Sequence, residues 1–128
     1  MADLEVRPGV MRTAIRVLIA AAVFALAGVS APGARADAVG FLVNVTVRPG
    51  YNFPDADTAL AYGHGICAKV DAGQSYSRVV GDIKTDFSTD DEFQATYLIS
   101  QAVQELCPAL IWQLRNSAAG YRPAPGAG

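Results

Sequence analysis

The sequence predicts an all-α fold: a small domain of four to five helices, cross-linked by one disulfide, that follows a cleaved signal peptide. Three observations predict it. Apolar residues recur with a helical period in successive segments, and a residue able to cap a helix precedes most of these segments. The N-terminal region carries the parts of an export signal. The chain has two cysteines, and in an exported protein an even number of cysteines predicts a disulfide.

Export is predicted by residues 1–36. Arginines precede an uncharged run of 13 residues, 17–29, and Ala34-Arg35-Ala36 fits the small-x-small cleavage pattern. The run is shorter than the roughly 20 apolar residues of a membrane-spanning helix, although counting the small residues of 14–34 leaves an uncleaved anchor open. We expect cleavage after Ala36. Met11 opens a more ordinary signal, so residues 1–10 have no role in the predicted fold.

Such a signal implies a secreted or cell-envelope location without a stable membrane anchor. The general secretory route is favoured over twin-arginine export, because no Arg-Arg pair precedes the apolar run. The mature chain, 37–128, has ten acidic and six basic side chains among its 92 residues, a net charge of about −4. Binding to nucleic acid or to an anionic membrane needs clustered Lys and Arg, so both are disfavoured. This length suits one domain with a modest core.

The first mature segment, residues 38–47, is ambiguous. Val43, Val45 and Val47 alternate with polar residues, a pattern typical of a strand. Ala38, Phe41, Leu42 and Val45 fall instead at the spacing of a helix capped by Asp37. The residues alone leave helix and strand open, and Pro49-Gly50 ends the segment in either case.

Four helices are predicted beyond this segment. Asp55 and Ser75 cap the first two, which end near Gly73 and Phe87 respectively, and Thr89-Asp90-Asp91-Glu92 is a capping box for the third. Pro108 ends that third helix or opens the next, a short one over 109–115. The domain is therefore expected to span 37–117. The Pro- and Gly-rich tail 118–128 is expected to be disordered.

The cysteines lie near the ends of two predicted helices, Cys67 in the helix that Asp55 opens and Cys107 in the helix before Pro108. Packing these helices side by side brings the two sulfurs together, which makes the pair a structural cross-link. Gly63 and Gly65 each weaken the first of these helices by about 1 kcal/mol relative to Ala. At Gly63 we expect a compensating reason, the close approach of another backbone.

A set of short motifs occurs in a distinctive order between the signal and Pro108. They are Phe41-Leu42, Ala59-Leu60, Gly63, Ile66-Cys67, Gly73-Gln74-Ser75, Val79, Ala102-Val103 and Leu106-Cys107-Pro108. Together they resemble domain-of-unknown-function family 732, small exported proteins found mostly in mycobacteria and their relatives. The resemblance implies a small all-helical domain with Cys67 and Cys107 bonded, and no established activity. The valine-rich first segment and its proline-rich connection depart from the family pattern.

No catalytic or metal-binding constellation is recognisable in the sequence. His64 is the only histidine and the candidate general base, but no nucleophile motif accompanies it. A zinc site needs about four ligands, more than the cysteines and His64 supply. Asp86 could open a calcium-binding loop, but Asp91 stands where an EF-hand needs Gly and Tyr97 where it needs Glu. We therefore expect no cofactor, no metal and no enzymatic activity.

Binding is the remaining class of function, and the candidate surface is Ile111, Trp112 and Leu114, which follow Pro108. We rank three hypotheses for the function in the following order. The first is an interaction module that binds a protein or cell-envelope component. The second is a carrier of a small apolar or lipid ligand between the helices. The third is an enzyme that uses His64. The sequence does not identify a partner or the oligomeric state.

Overall fold

Residues 31–125 are described by the computed structural model, and the chain from residue 35 onward forms one compact unit. The predicted signal peptide, up to residue 30, lies outside the described residues, so its cleavage and the choice of start stay predictions. The helices are α1 (Ala31–Thr46), α2 (Ala56–Asp71), α3 (Tyr76–Asp86), α4 (Glu92–Leu106) and α5 (Ile111–Ala118). A turn of 3₁₀ helix, Pro108–Leu110, joins the last two. Residues 31–125 contain no strand, and the all-α prediction is confirmed.

The ambiguous first segment is helical, as the family resemblance implied. Phe41 is fully buried and Val45 is 3% exposed, whereas Val43 and Val47 are exposed by 52% and 74%. Residues two apart on an α-helix are about 200° apart around its axis, so they lie on nearly opposite faces. A short alternation of valines therefore fits a helix as well as a strand, which explains why the pattern could not separate them.

The predicted starts of α2 and α3 are confirmed. Asp55 Oδ1 accepts a hydrogen bond from the Thr58 N–H at 2.7 Å, and Ser75 Oγ accepts one from the Arg78 N–H at 3.3 Å. The bond from Thr58 holds the pKa of Asp55 below its usual value. Gly73 has a φ of +79°, the left-handed conformation that ends a helix and favours glycine.

The predicted capping box of α4 is wrong in detail. The N-cap is Asp91, whose Oδ1 accepts from the Phe93 N–H at 2.9 Å, while Thr89 Oγ1 accepts from the Asp91 N–H at 3.1 Å. Thr89 therefore shapes the turn before the helix and does not cap it. The Glu92 side chain, expected to reach back to the cap, binds Lys84 and Tyr121 instead. With Asp91 as the cap, Glu92 is the first helical residue, so it cannot reach back as a capping box requires.

Helix α4 is the centre of the core. It packs against α2 and α3 along its length and against α5 at its end. Five of its side chains are completely buried: Ala95, Leu98, Ile99, Ala102 and Val103. Burying a side chain the size of Leu or Ile stabilises a fold by about 1.5–3 kcal/mol, so α4 contributes much of the stability of the domain.

An aromatic cluster fixes the connection between α1 and α2. Tyr51 and Phe53 of this loop pack against Tyr62 of α2 and against Phe87 after α3, with ring centroids 5.2–6.3 Å apart. The Tyr51 hydroxyl donates to the Gln94 carbonyl oxygen at 2.6 Å. Burial raises the pKa of Tyr51 to about 12, so this donor stays protonated in neutral solution. The proline-rich connection is thus packed against the rest of the domain.

Cys67 and Cys107 form the predicted disulfide, with an S–S distance of 2.07 Å. It joins α2 to the end of α4, as the side-by-side packing of these helices predicted. Cys67 is 8% exposed, so the bond lies at the edge of the core. The Gln113 side chain of α5 donates to the Val70 carbonyl oxygen at 2.6 Å and adds a second link to the end of α2.

Gly63 has a structural reason that differs from the predicted one. A Cβ there would lie 2.8 Å from Phe41 Cζ and 2.6 Å from Leu106 Cδ1, so side chains of α1 and α4 fill its space and no backbone does. Gly63→Ala should lower the free energy of unfolding by about 1–2 kcal/mol, because overpacking outweighs the helix propensity gained. Urea denaturation measures this change.

Gly65 provides the matched control on the same helix. A Cβ there would meet nothing within 4 Å. Gly65→Ala should therefore raise the free energy of unfolding by about 1 kcal/mol. Equal effects of the two substitutions would contradict the packing of Phe41 on α2.

The C-terminal segment includes contacts that the prediction of a disordered tail did not anticipate. The Tyr121 ring packs on Tyr76 with centroids 4.9 Å apart, and its hydroxyl donates to Glu92, which also pairs with Lys84. Burial favours the neutral form of Glu92. The hydrogen bonds from Lys84 and Tyr121, together with the Lys84 charge, outweigh it and lower the pKa of the carboxyl group. These contacts hold the chain after α5 against α3 and α4.

Stability should therefore fall in acid through Glu92. Because the folded state lowers the pKa of this carboxyl group, its contribution is complete above the unfolded value of 4.5 and is lost as the pH falls through the folded value. Glu92→Gln should destabilise the protein at pH 7, and the difference from wild type should shrink in acid. Urea denaturation at several pH values measures it. Asp90→Asn, at an exposed acid, is the control; a constant difference for Glu92→Gln would contradict the ion pair.

Candidate functional site

The outward side of α1 carries a stripe of exposed valines. Val39, Val43 and Val47 follow one another at intervals of four residues and are exposed by 58%, 52% and 74%. They lie opposite Phe41 and Val45, which face the core. No charged residue stands between 38 and 47, so α1 is apolar on two opposite faces. Only one of these faces is covered within the described part of the chain.

Helix α4 packs beside α1, next to the stripe of exposed valines. The Asn44 amide donates to Gln101 Oε1 at 2.6 Å, and the Tyr97 hydroxyl donates to the Asn44 carbonyl oxygen at 3.4 Å. At the other end of α1, the Glu105 carboxylate lies against Gly40, where a Cβ would come within 2.7 Å of it. The two helices therefore run antiparallel along their contact.

Arg48 joins the valines to the aromatic residues of α4. Its Cζ lies 4.4 Å from the ring centroid of Phe93 and 4.3 Å from that of Tyr97. Such cation–π contacts stabilise by about 0.5–1 kcal/mol at exposed sites. Phe93 remains 57% exposed, so Arg48 places a second exposed apolar side chain, on α4, next to the end of the valine stripe. We define the valine face as Val39, Val43, Val47 and Phe93, with Arg48 at its border.

Two clefts lie on either side of the Arg48-Pro49 turn. The first, about 490 Å³ and open, is lined by Val47, Arg48, Pro49, Asp91, Gln94 and Tyr97. The second, about 430 Å³, is lined by Leu42, Val45, Thr46, Arg48, Pro49, Asn52, Phe53, Asp55, Ala56 and Ala59. Arg48 contributes to both clefts. Its charge is therefore the common polar element of this region.

The predicted surface on α5 is less open than its sequence suggested. Trp112 is 71% exposed and lies against the Arg115 guanidinium, whose Cζ is 5.2 Å from the ring centroid. Ile111 and Leu114 are half-buried and pack against the core. The three residues share one helix, but two of them mainly attach α5 to the domain. Trp112 remains the exposed member of the predicted surface.

His64 is exposed on α2, and its side chain forms no hydrogen bond with another described residue. It lines neither of the two clefts beside Arg48. Residues 31–125 bring together no group of three or more His, Cys, Asp and Glu side chains that could hold a metal ion. None of the helices in this range is both long and apolar enough to cross a membrane.

Comparison with known protein families identifies the chain. The model of a family described as protein of unknown function (DUF732) matches residues 34–109, more than half of the sequence. The chain belongs to the DUF732 family. The matched range contains α2, α3 and α4 in full, and both cysteines. No curated protein and no solved structure matches the chain in the same comparisons.

The whole valine face lies within the DUF732 match, yet the sequence pattern did not predict it. The signal was present in the ten consecutive uncharged residues 38–47, where only Asn44 and Thr46 are polar, too few to give a helix a polar face along its length. The alternation of Val43, Val45 and Val47 also fits a strand, so the second apolar face of the helix was not recognised. Arg48 and Phe93 could not be joined to this surface from sequence alone, because 45 positions separate them.

Proposed function

We propose that this DUF732 protein is an exported, non-enzymatic interaction module that binds a protein partner through the valine face. The observation that supports the proposal most is the row of three exposed valines on α1, next to which Arg48 contacts the exposed ring of Phe93. Single exposed apolar residues are normal on a protein surface, but contiguous patches mark interaction sites. Covering these side chains would remove apolar area from water at about 25 cal/mol per Å².

The composition of the valine face suits protein recognition. Phe93 and Tyr97 supply aromatic area, and Arg48 is held against both rings. Aromatic residues and Arg are enriched at protein–protein interfaces and dominate their binding energy. Valine side chains on a helix lose little rotamer freedom on binding, because χ1 is already restricted. The surface is thus well ordered before a partner arrives.

The disulfide and the export signal support a location outside the cytoplasm. Disulfides persist in oxidising compartments, and the bond between Cys67 and Cys107 links the helices that carry the core. The valines of the valine face follow directly after the predicted cleavage site at Ala36. Cleavage there would remove the first six residues of α1 and leave residues 37–46 at the start of the mature chain, with their outward face open to a partner.

Photo-crosslinking tests the proposal and does not require the partner to be identified first. A photoreactive amino acid at position 43 of the full chain, exported in its native host, should give a discrete adduct of defined mass. The same amino acid at position 78, where Arg78 is exposed on α3, is the control and should give none. An adduct at position 112 but none at 43 would assign binding to the predicted α5 surface and contradict this proposal.

The cleft between α1 and the start of α2 supports a second candidate, a carrier of a small apolar ligand. Leu42, Val45 and Phe53 supply its apolar wall, and Arg48 stands at its edge, where it could pair with an acidic head group. Its volume of about 430 Å³ falls within the range of small-molecule sites. Native mass spectrometry of the exported protein should then show a bound mass that Ala56→Trp, at an exposed position of the cleft wall, removes. Detection of the bare protein alone would reject the carrier.

A further inference from the structure

We infer that the partner of the valine face is a second copy of this chain, so that two α1 helices pack antiparallel around a twofold axis at Val43. This inference rests on the proposed function and names the partner of the same surface. Both the spacing of the valines and the position of the charges around them support it.

The valines are spaced for self-association. Successive members lie four residues apart, so Val39 and Val47 are about 12 Å apart along the helix axis, with Val43 midway. A twofold axis at Val43 places Val39 of one copy against Val47 of the other, and the two Val43 side chains against each other. An isologous interface requires such a surface, in which the same patch serves both partners.

The charges at the two ends of the valine face are opposite. Arg48 borders the face at the C-terminal end of α1, on the side of α4. Glu105 lies against Gly40 near the other end, also on the side of α4, and forms no salt bridge with another described residue. Exposed Asp37 stands at the same end, where cleavage after Ala36 would give it a positively charged α-amino group that offsets its carboxylate. On the side of α4, one end of the face is therefore basic through Arg48 and the other acidic through Glu105.

This charge pattern selects the antiparallel arrangement. A twofold axis perpendicular to α1, within the interface, keeps both α4 helices on one side and reverses the direction of α1. Arg48 of each copy then lies beside Glu105 of the other, giving two opposite-charge pairs. A twofold axis parallel to α1 would instead place both Arg48 side chains at one end of the interface and both Glu105 side chains at the other, so no Arg48–Glu105 pair would form across it.

The same charges disfavour an anionic membrane as the occupant of the face. Among residues 37–125, Arg48 is the basic side chain that borders the face, while Glu105 stands at the opposite end. Attraction to anionic lipid needs clustered basic residues. A second copy of the chain places an opposite charge beside both Arg48 and Glu105.

The mass of the exported protein in solution is the first test. Sedimentation equilibrium over a wide range of concentration should show a reversible dimer, and the adduct captured at position 43 should have twice the mass of the chain. Val43→Asp should raise the dissociation constant at least about 100-fold, because the axis brings both introduced carboxylates together. Circular dichroism should show an unchanged fold, since Val43 is exposed.

Charge exchange is the second test, and it reports on the antiparallel register. Arg48→Glu and Glu105→Arg should each weaken the dimer about tenfold, because each creates two like-charge pairs. Mixing the two variants should restore dimers, since both pairs across the mixed interface then have opposite charges. The double variant should also dimerise. These restorations would not follow if either substitution acted only by disturbing its own chain.

A monomeric wild-type protein at all concentrations would overturn the inference. So would single variants that stay weak when mixed, since the register predicts their recovery. A discrete adduct at position 43 with any mass other than twice that of the chain would also overturn it, while the proposed interaction module would stand. Absence of any adduct would contradict both the proposed interaction module and the inferred dimer.

Discussion

Replacing both cysteines, Cys67→Ala with Cys107→Ala, should lower the free energy of unfolding by about 3–4 kcal/mol. The bond closes a loop across 40 positions, and the chain-entropy model gives about 4 kcal/mol as an upper value for a loop of this size. A small domain has a total stability of about 5–15 kcal/mol, so a large part of it depends on this bond. Urea denaturation of the wild-type and double-variant proteins measures the difference.

Reduction of the wild-type protein supplies the matched control. A thiol reductant should shift its unfolding curve toward that of the double variant and leave the double variant unchanged. The non-reduced mass of the wild-type chain should be about 2 Da below that of the all-thiol form, because a disulfide lacks two hydrogens. An unfolding curve insensitive to reductant, together with the all-thiol mass, would contradict the cross-link between α2 and α4.

Phe41→Ala should lower the free energy of unfolding by about 3–5 kcal/mol. Phe41 is fully buried and its ring occupies the space beside Gly63, so truncation leaves a cavity that α1, α2 and α4 cannot close without moving. Thermal and urea denaturation should both report the loss. The result tests whether α1 is an integral part of the domain.

Val43→Ala is the control on the same helix. It removes an apolar side chain that is 52% exposed and lies on the opposite face, so the stability of the monomer should change by no more than about 0.5 kcal/mol. The two substitutions thus separate the inward face, which holds the fold, from the outward face, which we propose for binding. Equal losses would show that both faces are covered within one chain.

The two faces of α1 show how structure and proposed function are divided in this family member. Phe41 and Val45 attach the helix to the core, while Val39, Val43 and Val47 remain outside it. A helix with one apolar face needs only its own domain to cover it. A helix with two apolar faces needs a second partner, and this requirement connects the sequence of α1 to the proposed interaction.

Local sequence signals predicted most of the helical architecture correctly. Asp55, Ser75 and Gly73 act as expected, because caps and left-handed turns depend on atoms a few residues apart. Pro108 likewise opens a new helical turn, since it cannot continue the hydrogen bonding of α4. The capping box failed because the helix begins after Asp91, two residues beyond Thr89, which leaves Glu92 at the first helical position, where its side chain binds Lys84 and Tyr121.

The sequence by itself determined the four helices after residue 47, the cysteine pair that forms the disulfide and the family membership, because these depend on local periodicity, on residue type and on ordered motifs. Only the tertiary structure decided which valines of α1 face the core and why Gly63 must lack a side chain. It also decided that Arg48 lies on Phe93, 45 positions away. Each of these depends on which helices become neighbours, and that follows from packing the whole core at once rather than from any segment alone.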